Sequence, residues 1–149
     1  MFNLVTLIEE INNDLSQNVT TYIEDNSVSE LHMHKILYIL YGNFYTKYKK
    51  ELFFNADFRA WKYGPVELDY RSFYRDYKKD NKIIVPSKFN INLNSDELKF
   101  VKKEINHLLQ FSPWSLVDFT HTTEAWIDYY KEEENNKIPI SAIQESFTK

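Results

Sequence analysis

The chain has 149 residues, about the size of one domain, and is long enough to bury a core without disulfide or metal staples. It contains no cysteine, which removes disulfides and thiol chemistry and suits a reducing compartment. Its net charge of −4 gives no general attraction to nucleic acid or anionic lipid. The opening Met1-Phe2-Asn3-Leu4 has no basic segment and Glu9 and Glu10 interrupt the apolar residues, so no secretory leader is expected. The longest apolar run, Ile36 to Tyr41, is too short to span a bilayer, and the expected location is the cytoplasm.

Leu4, Ile8, Ile11 and Leu15 recur every three or four residues and predict an amphipathic helix over residues 2–15. Val19, Tyr22 and Ile23 predict a short second helix that ends at Asp25-Asn26. Ser27-Val28-Ser29-Glu30 fits a capping box in which the Ser27 side chain covers free backbone N–H groups. The helix it opens, over 28–50, is apolar on more than one face and is expected to be the enclosed central element.

Two aromatic-rich runs, Leu52-Phe53-Phe54 and Phe58-Arg59-Ala60-Trp61, flank Asn55-Ala56-Asp57 and predict a β-hairpin. Gly64-Pro65 is expected to stop its second strand, with Pro65 in the first turn of a helix carrying Val66, Tyr70, Phe73 and Tyr77. Residues 78–94 read as a polar connection with a short strand at Ile83-Ile84-Val85. Ser95, followed by Asp96 and Glu97, starts a helix with Leu98, Val101, Ile105 and Leu108 inward. Ser112-Pro113 starts a shorter helix through Phe119, and Thr123-Glu124 another through Tyr130. The stretch from Glu132 to Asn136 is an acidic loop, and Ser141-Ala142-Ile143-Gln144 is a further capping box before a terminal helix. The expected fold is mainly α: a compact bundle of six or seven helices with one small β-hairpin, in a single domain over 1–149.

Charge is uneven along the chain. Residues 35–82 hold eleven Lys/Arg against six acids, whereas residues 96–149 hold ten acids against six bases. Aromatic residues make up 17% of the chain, a proportion that suits a large contact surface.

Chemistry is thinly supported. Two isolated glycines, Gly42 and Gly64, cannot build a phosphate-cradling loop, and no serine sits in a nucleophile elbow. His32 and His34 stand two apart on a helix and point to different sides, so they cannot share a metal. His121, between two predicted helices and near Trp126, is read as a hydrogen-bonding residue that locks a corner, against the alternative of a general base. No catalytic residue, metal or cofactor is expected, and the chain is not expected to be an enzyme.

The blocks His34-Lys35-Ile36-Leu37-Tyr38 with Gly42, Leu52-Phe53, Asp57-Phe58 and Ala60-Trp61-Lys62-Tyr63-Gly64-Pro65-Val66 with Tyr70 resemble the Panacea-domain proteins. That group includes SocA-like antitoxins and phage-associated GepA-like proteins. Leu116, Thr120-His121 and Trp126 are similar to a later block of the family, and Ile138-Pro139-Ile140-Ser141 to its terminal stretch. The resemblance covers about residues 19–147, with the helix over 2–15 as an addition in front. His34, Ala125 and Glu67-Leu68 depart from the usual family residues at their positions.

The resemblance implies an antitoxin that binds a cognate toxin encoded nearby, in a hetero-oligomer, and occludes the toxin's substrate site. An alarmone-synthetase-like enzyme acting on tRNA is among the toxin classes implied. A proteolytic adaptor that delivers a toxin to a protease is one alternative. A nucleic-acid-binding regulator using the basic middle region is another, against which the acidic pI of about 5.6 argues. Lys35, Trp61, Gly64, Pro65, His121 and Trp126 are expected to hold the fold. Partner contacts are expected outside those blocks, at Tyr22, at Tyr41 and Tyr45, and over the acidic stretch from Asp128 through Glu132, Glu133 and Glu134.

Overall fold

The structure, a computed structural model, describes residues 1–16, 27–80 and 84–148. The second helix expected around Val19, Tyr22 and Ile23 lies outside the described residues, as does Ile83. The elements run β1 (Phe2–Asn3), α1 (Leu4–Ser16), α2 (Glu30–Tyr48), β2 (Phe58–Trp61), β3 (Gly64–Glu67), α3 (Leu68–Asp80), β4 (Asn90–Ile91), α4 (Ser95–Leu109), α5 (Pro113–Thr120), α6 (Glu124–Tyr129) and α7 (Ile140–Thr148). The fold is mainly α, with seven α-helices and two antiparallel two-stranded sheets among the described residues.

Helix α2 is the axis on which the other elements pack. Every residue from Met33 to Gly42 is buried, because the β2–β3 hairpin, α4, α5 and α7 enclose it on all sides. A helix that is apolar all round can exist only inside such a cage. Its N-cap is Ser29, whose side chain accepts the His32 N–H at 3.2 Å, and not Ser27. Both serines precede the helix closely enough to serve; the one adjoining Glu30 takes the cap. Lys49 ends the helix in the left-handed region, with φ 56° and its N–H on the Tyr45 carbonyl.

Aromatic rings fill the space around α2. Tyr38 meets Phe58 and Phe147 edge-on, at 5.5 Å between centroids in each case, and Tyr41 meets Phe53 and Phe58. Edge-to-face contacts of this kind add to the stabilisation from burial alone. The Thr123 hydroxyl donates to the Thr120 carbonyl, so the Tyr38 hydroxyl must donate to Thr123 Oγ1, 2.8 Å away. Gly42 allows α7 to approach: a Cβ there would stand 2.3 Å from the Phe147 ring.

The hairpin differs from its expected position. It joins Phe58–Trp61 to Gly64–Glu67 around Lys62-Tyr63, pairing Phe58 with Glu67 and Trp61 with Gly64. Residues 52–54 are not a strand. Gly64 and Pro65 therefore lie inside a strand and do not stop one, and the following helix starts at Leu68, not at Val66. A strand tolerates this proline because Ala60, its partner, sends its N–H away from β3, to the Asn136 carbonyl at 2.9 Å. Ile138 N–H reaches the Phe58 carbonyl at 2.8 Å, so residues 136–138 line the other edge of β2.

Other boundaries shift by a few residues. Helix α4 begins at Ser95 with Asn94 as its cap, in a reciprocal capping box with Glu97. Ser112 caps α5 with Pro113 in its first turn, as the pattern predicts, and α7 begins at Ile140, before Ser141. The strand expected at Ile84-Val85 is absent; the short strand in this region is β4, which pairs with β1 at the chain's start.

Candidate protein-binding surface

The motif residues converge where α2, the hairpin and α5 meet. Lys35 is fully buried, and its Nζ donates to the Pro65 carbonyl at 2.9 Å. Loss of water around the ammonium pushes it down to about 7, against the favourable charge of Glu30. Gly64 sits above it with φ +101°, a region costly for any side chain. A Cβ on Gly64 would come within 2.6 Å of Thr120 Oγ1 and 2.8 Å of Lys35 Cε.

Beside it, His34 is buried with both ring nitrogens engaged. A backbone N–H can only donate, so Nδ1 accepts from Glu67 N at 3.1 Å and Nε2–H donates to Glu30 Oε2 at 2.8 Å. Burial lowers the imidazole's proton affinity despite that carboxylate. Burial also works against the Glu30 charge, but hydrogen bonds from His34 and Arg71 outweigh it and hold the carboxyl at about 2. Glu67, one of the departures from the family pattern, is a buried hub. It accepts the N–H groups of Asp57 and Tyr70 and the Lys88 ammonium.

His121 is the C-cap of α5. Its Nε2–H donates to the Lys62 carbonyl at 3.1 Å, and its ring stacks on Trp126 with 4.0 Å between centroids. Trp126 stacks in turn on Tyr130. With its imidazole committed to a carbonyl and an indole face, His121 ties the hairpin turn to the α5–α6 corner.

The residues expected to meet a partner are dispersed. Tyr41 is fully buried: α2 is enclosed, and the Tyr41 hydroxyl donates to Glu51 at 2.6 Å. It cannot be an exposed contact, which corrects the expectation. Tyr45 is half-buried beneath Lys49, whose Nζ lies 5.6 Å from the ring centre. Tyr22 lies outside the described residues. Asp128 and Glu132–Glu134 are exposed, and Asn135 just beyond them docks on β2. Arg59 donates to the Asn135 carbonyl, and Trp61 Nε1 to Asn135 Oδ1 at 2.8 Å.

A different set of aromatics stands out in solvent. Trp114 is 56% exposed, Tyr63 50%, Phe119 46% and Phe111 43%. Tyr63, in the hairpin turn, meets Trp114 edge-on at 5.3 Å. Phe111 and Phe119 line a groove of about 390 Å³ between α2, α4 and α5, with Ile39, Leu108 and Leu116 as its apolar lining. The one sequence signal for this face is that α5 is only eight residues long yet apolar on more than one side. Among the described residues, no helix is long and apolar enough to cross a membrane.

No curated protein and no solved structure matches the chain. A family model does, over residues 33–127, from Met33 in α2 through the hairpin and α5 to Ile127 in α6. Through that match the chain belongs to the antitoxin SocA-like, Panacea-domain family.

Proposed function

We propose that this protein neutralises a cognate toxin, encoded nearby and met in the cytoplasm, by direct protein–protein binding that covers the toxin's substrate site. Family membership supports an antitoxin role. The observation that carries the binding mode is the set of exposed rings around α5: Phe111 and Phe119 in an apolar groove, and the Tyr63–Trp114 pair where the same helix meets the hairpin turn. Rings of this kind are the usual anchors of protein interfaces, and a few of them supply most of the binding energy. A rigid scaffold that presents them needs no active site. The acidic stretch Asp128 to Glu134 complements a basic site on a toxin that handles nucleotide or tRNA.

The test is co-expression with the adjacent reading frame. Rescue of growth by the native chain, lost when Trp114 and Phe119 are both replaced by Ser, supports the reading. Rescue that survives those replacements, or no physical complex with the neighbour, overturns it.

A further inference from the structure

The groove between α2, α4 and α5 is selective in both its charge and its walls. Its floor is Ile39, Leu108 and Leu116, and the half-exposed rings of Phe111 and Phe119 flank it. A volume of about 390 Å³ has room for two apolar side chains, since about 150 Å³ takes a benzene ring. Among the described residues that line it, Glu104 is the one carboxylate, and there is no Lys or Arg. Glu104 is part-exposed and makes no ion pair among the described residues. It accepts a long hydrogen bond, 3.4 Å, from the neutral Asn43 amide. A ligand that covered the groove would take water from this carboxylate, which is costly unless the ligand brings a cation. The walls select the ligand's backbone. Helices α4 and α5 pair their own peptide groups, and at their junction Gln110 and Phe111 donate to the His107 and Leu108 carbonyls. Ser115 N–H is taken by Ser112 Oγ. An extended segment gains affinity by pairing with a strand edge, and no strand lines this groove. A helix arrives with its backbone bonds already made.

We infer that the groove takes an amphipathic helix of the partner protein, with two apolar residues one turn apart set between Phe111 and Phe119 and a Lys or Arg on the same stripe meeting Glu104. Glu104 and Leu108 stand one turn apart on α4, about 6 Å along its axis, so the cation lies about one turn beyond the anchor over Leu108. The i and i+4 residues of one helix seat between two others in ordinary helix packing. The same carboxylate rejects a helix with Asp or Glu at that place, so it selects as well as holds. That the helix belongs to the toxin rests on the partner-binding reading; the chemistry the groove accepts does not.

The test uses the full chain and synthetic helices of about 15 residues, stapled because free peptides of that length are only marginally helical. One carries a stripe of Leu flanked at both ends by Arg, and its match carries Glu at the same places. Either direction of docking then brings a flanking residue to Glu104. Fluorescence anisotropy should show the Arg helix binding at least about tenfold more tightly than the Glu helix. Glu104→Gln should cut that ratio to about threefold or less. A peptide of the Arg sequence with prolines in place of the staple cannot form the helix and should bind at least about tenfold more weakly. Phe119→Ser should weaken the Arg helix about tenfold; if that variant does not fold, Phe111→Ser on the other side of the groove takes its place. No binding of the Arg helix, equal binding of the Arg and Glu helices, a preference that survives Glu104→Gln, full binding by the folded ring variant, or equal binding of the proline peptide overturns the inference. So does a free chain that sediments as a dimer and becomes monomeric on Phe111→Ser, since a second copy then fills the groove. Toxin rescue is scored separately in cells. Absent rescue with intact peptide selectivity fails the partner reading alone, and the reverse fails this inference alone.

Discussion

Trp126 Nε1 donates to the carbonyl oxygen of Trp61 at 2.8 Å, joining α6 to the last residue of β2. Trp61 in turn gives its own indole N–H to Asn135, so two indoles sixty-five positions apart work in series. Trp126→Phe keeps a ring for the stack on His121 but drops the donor. It should cost about 1 kcal/mol, and more if the Trp61 carbonyl finds no water. Because Trp61 is only half-buried, Trp61→Ala should cost less than a full core truncation, about 1–3 kcal/mol. Chemical denaturation of the two variants reads both values.

Gly64→Ala meets two penalties together, a positive φ and a clash with Thr120 and Lys35. The loss should reach about 2 kcal/mol or more. Gly42→Ala has no φ penalty; its clash with the Phe147 ring should loosen α7 and cost about 1–3 kcal/mol. Pairing it with Phe147→Ala should recover part of that loss in a double-mutant cycle. Additivity of the two changes would contradict the contact.

Lys35 sets a pH dependence whose sign is fixed by its lowered proton affinity. Between about 7 and the ordinary lysine value of 10.5 the unfolded chain holds the extra proton, so this group makes stability rise with pH across that window. The slope is at most about 1.4 kcal/mol per pH unit, and Lys35→Met should remove it. Tyr41 and Tyr70 act oppositely above about pH 10, because burial holds their phenols protonated after the unfolded chain has released them. Glu30 works at the acid end: its contribution is present above 4.5 and lost as pH falls towards 2. Melting temperature against pH for the native chain, Lys35→Met and Glu30→Gln separates the three.

Trp114→Ala and Phe119→Ser remove half-exposed rings, the second packed on Phe147, and should cost about 1 kcal/mol and about 1–2 kcal/mol. Toxin neutralisation should nevertheless fall sharply. A fold-wide loss of stability in these variants would mean that the rings are part of the core.

Charge reversal of Glu132, Glu133 and Glu134 together should slow association with the toxin, most visibly at low salt, where screening is weak. Stopped-flow rates at two ionic strengths check this. Unchanged rates at both would remove the loop from the interface and leave the exposed rings alone.

Periodicity made the long helices legible: α1, α2 and α4 lie close to their predicted spans, since an apolar stripe every three or four residues has one low-cost solution. Caps were less legible, because the Ser27–Glu30 spacing fits a capping box and yet Ser29, with His32 at the matching position, is the serine that caps the helix. The hairpin was misplaced because Gly-Pro reads locally as a stop. Whether a proline fits inside a strand depends on whether its place in the ladder calls for an N–H, and that is settled by the β2–β3 register, which pairs Pro65 with Ala60 and turns the Ala60 N–H outward to Asn136. The same reasoning covers the aromatics. Tyr41 and Trp114 are alike as letters, and only the closure of α2 by four other elements buries the first and leaves the second in water.

The pairing of residues 136–138 with β2 bears on where this protein can be cut. The family match ends at Ile127, and a fragment ending there would lose the acceptor for Ala60 N–H, the donor for the Phe58 carbonyl, and helix α7 over Gly42. What remains is a bare strand edge beside uncovered rings, the arrangement that recruits a neighbouring chain's edge. Such a fragment should self-associate, so the segment after the matched region behaves as a built-in guard against aggregation.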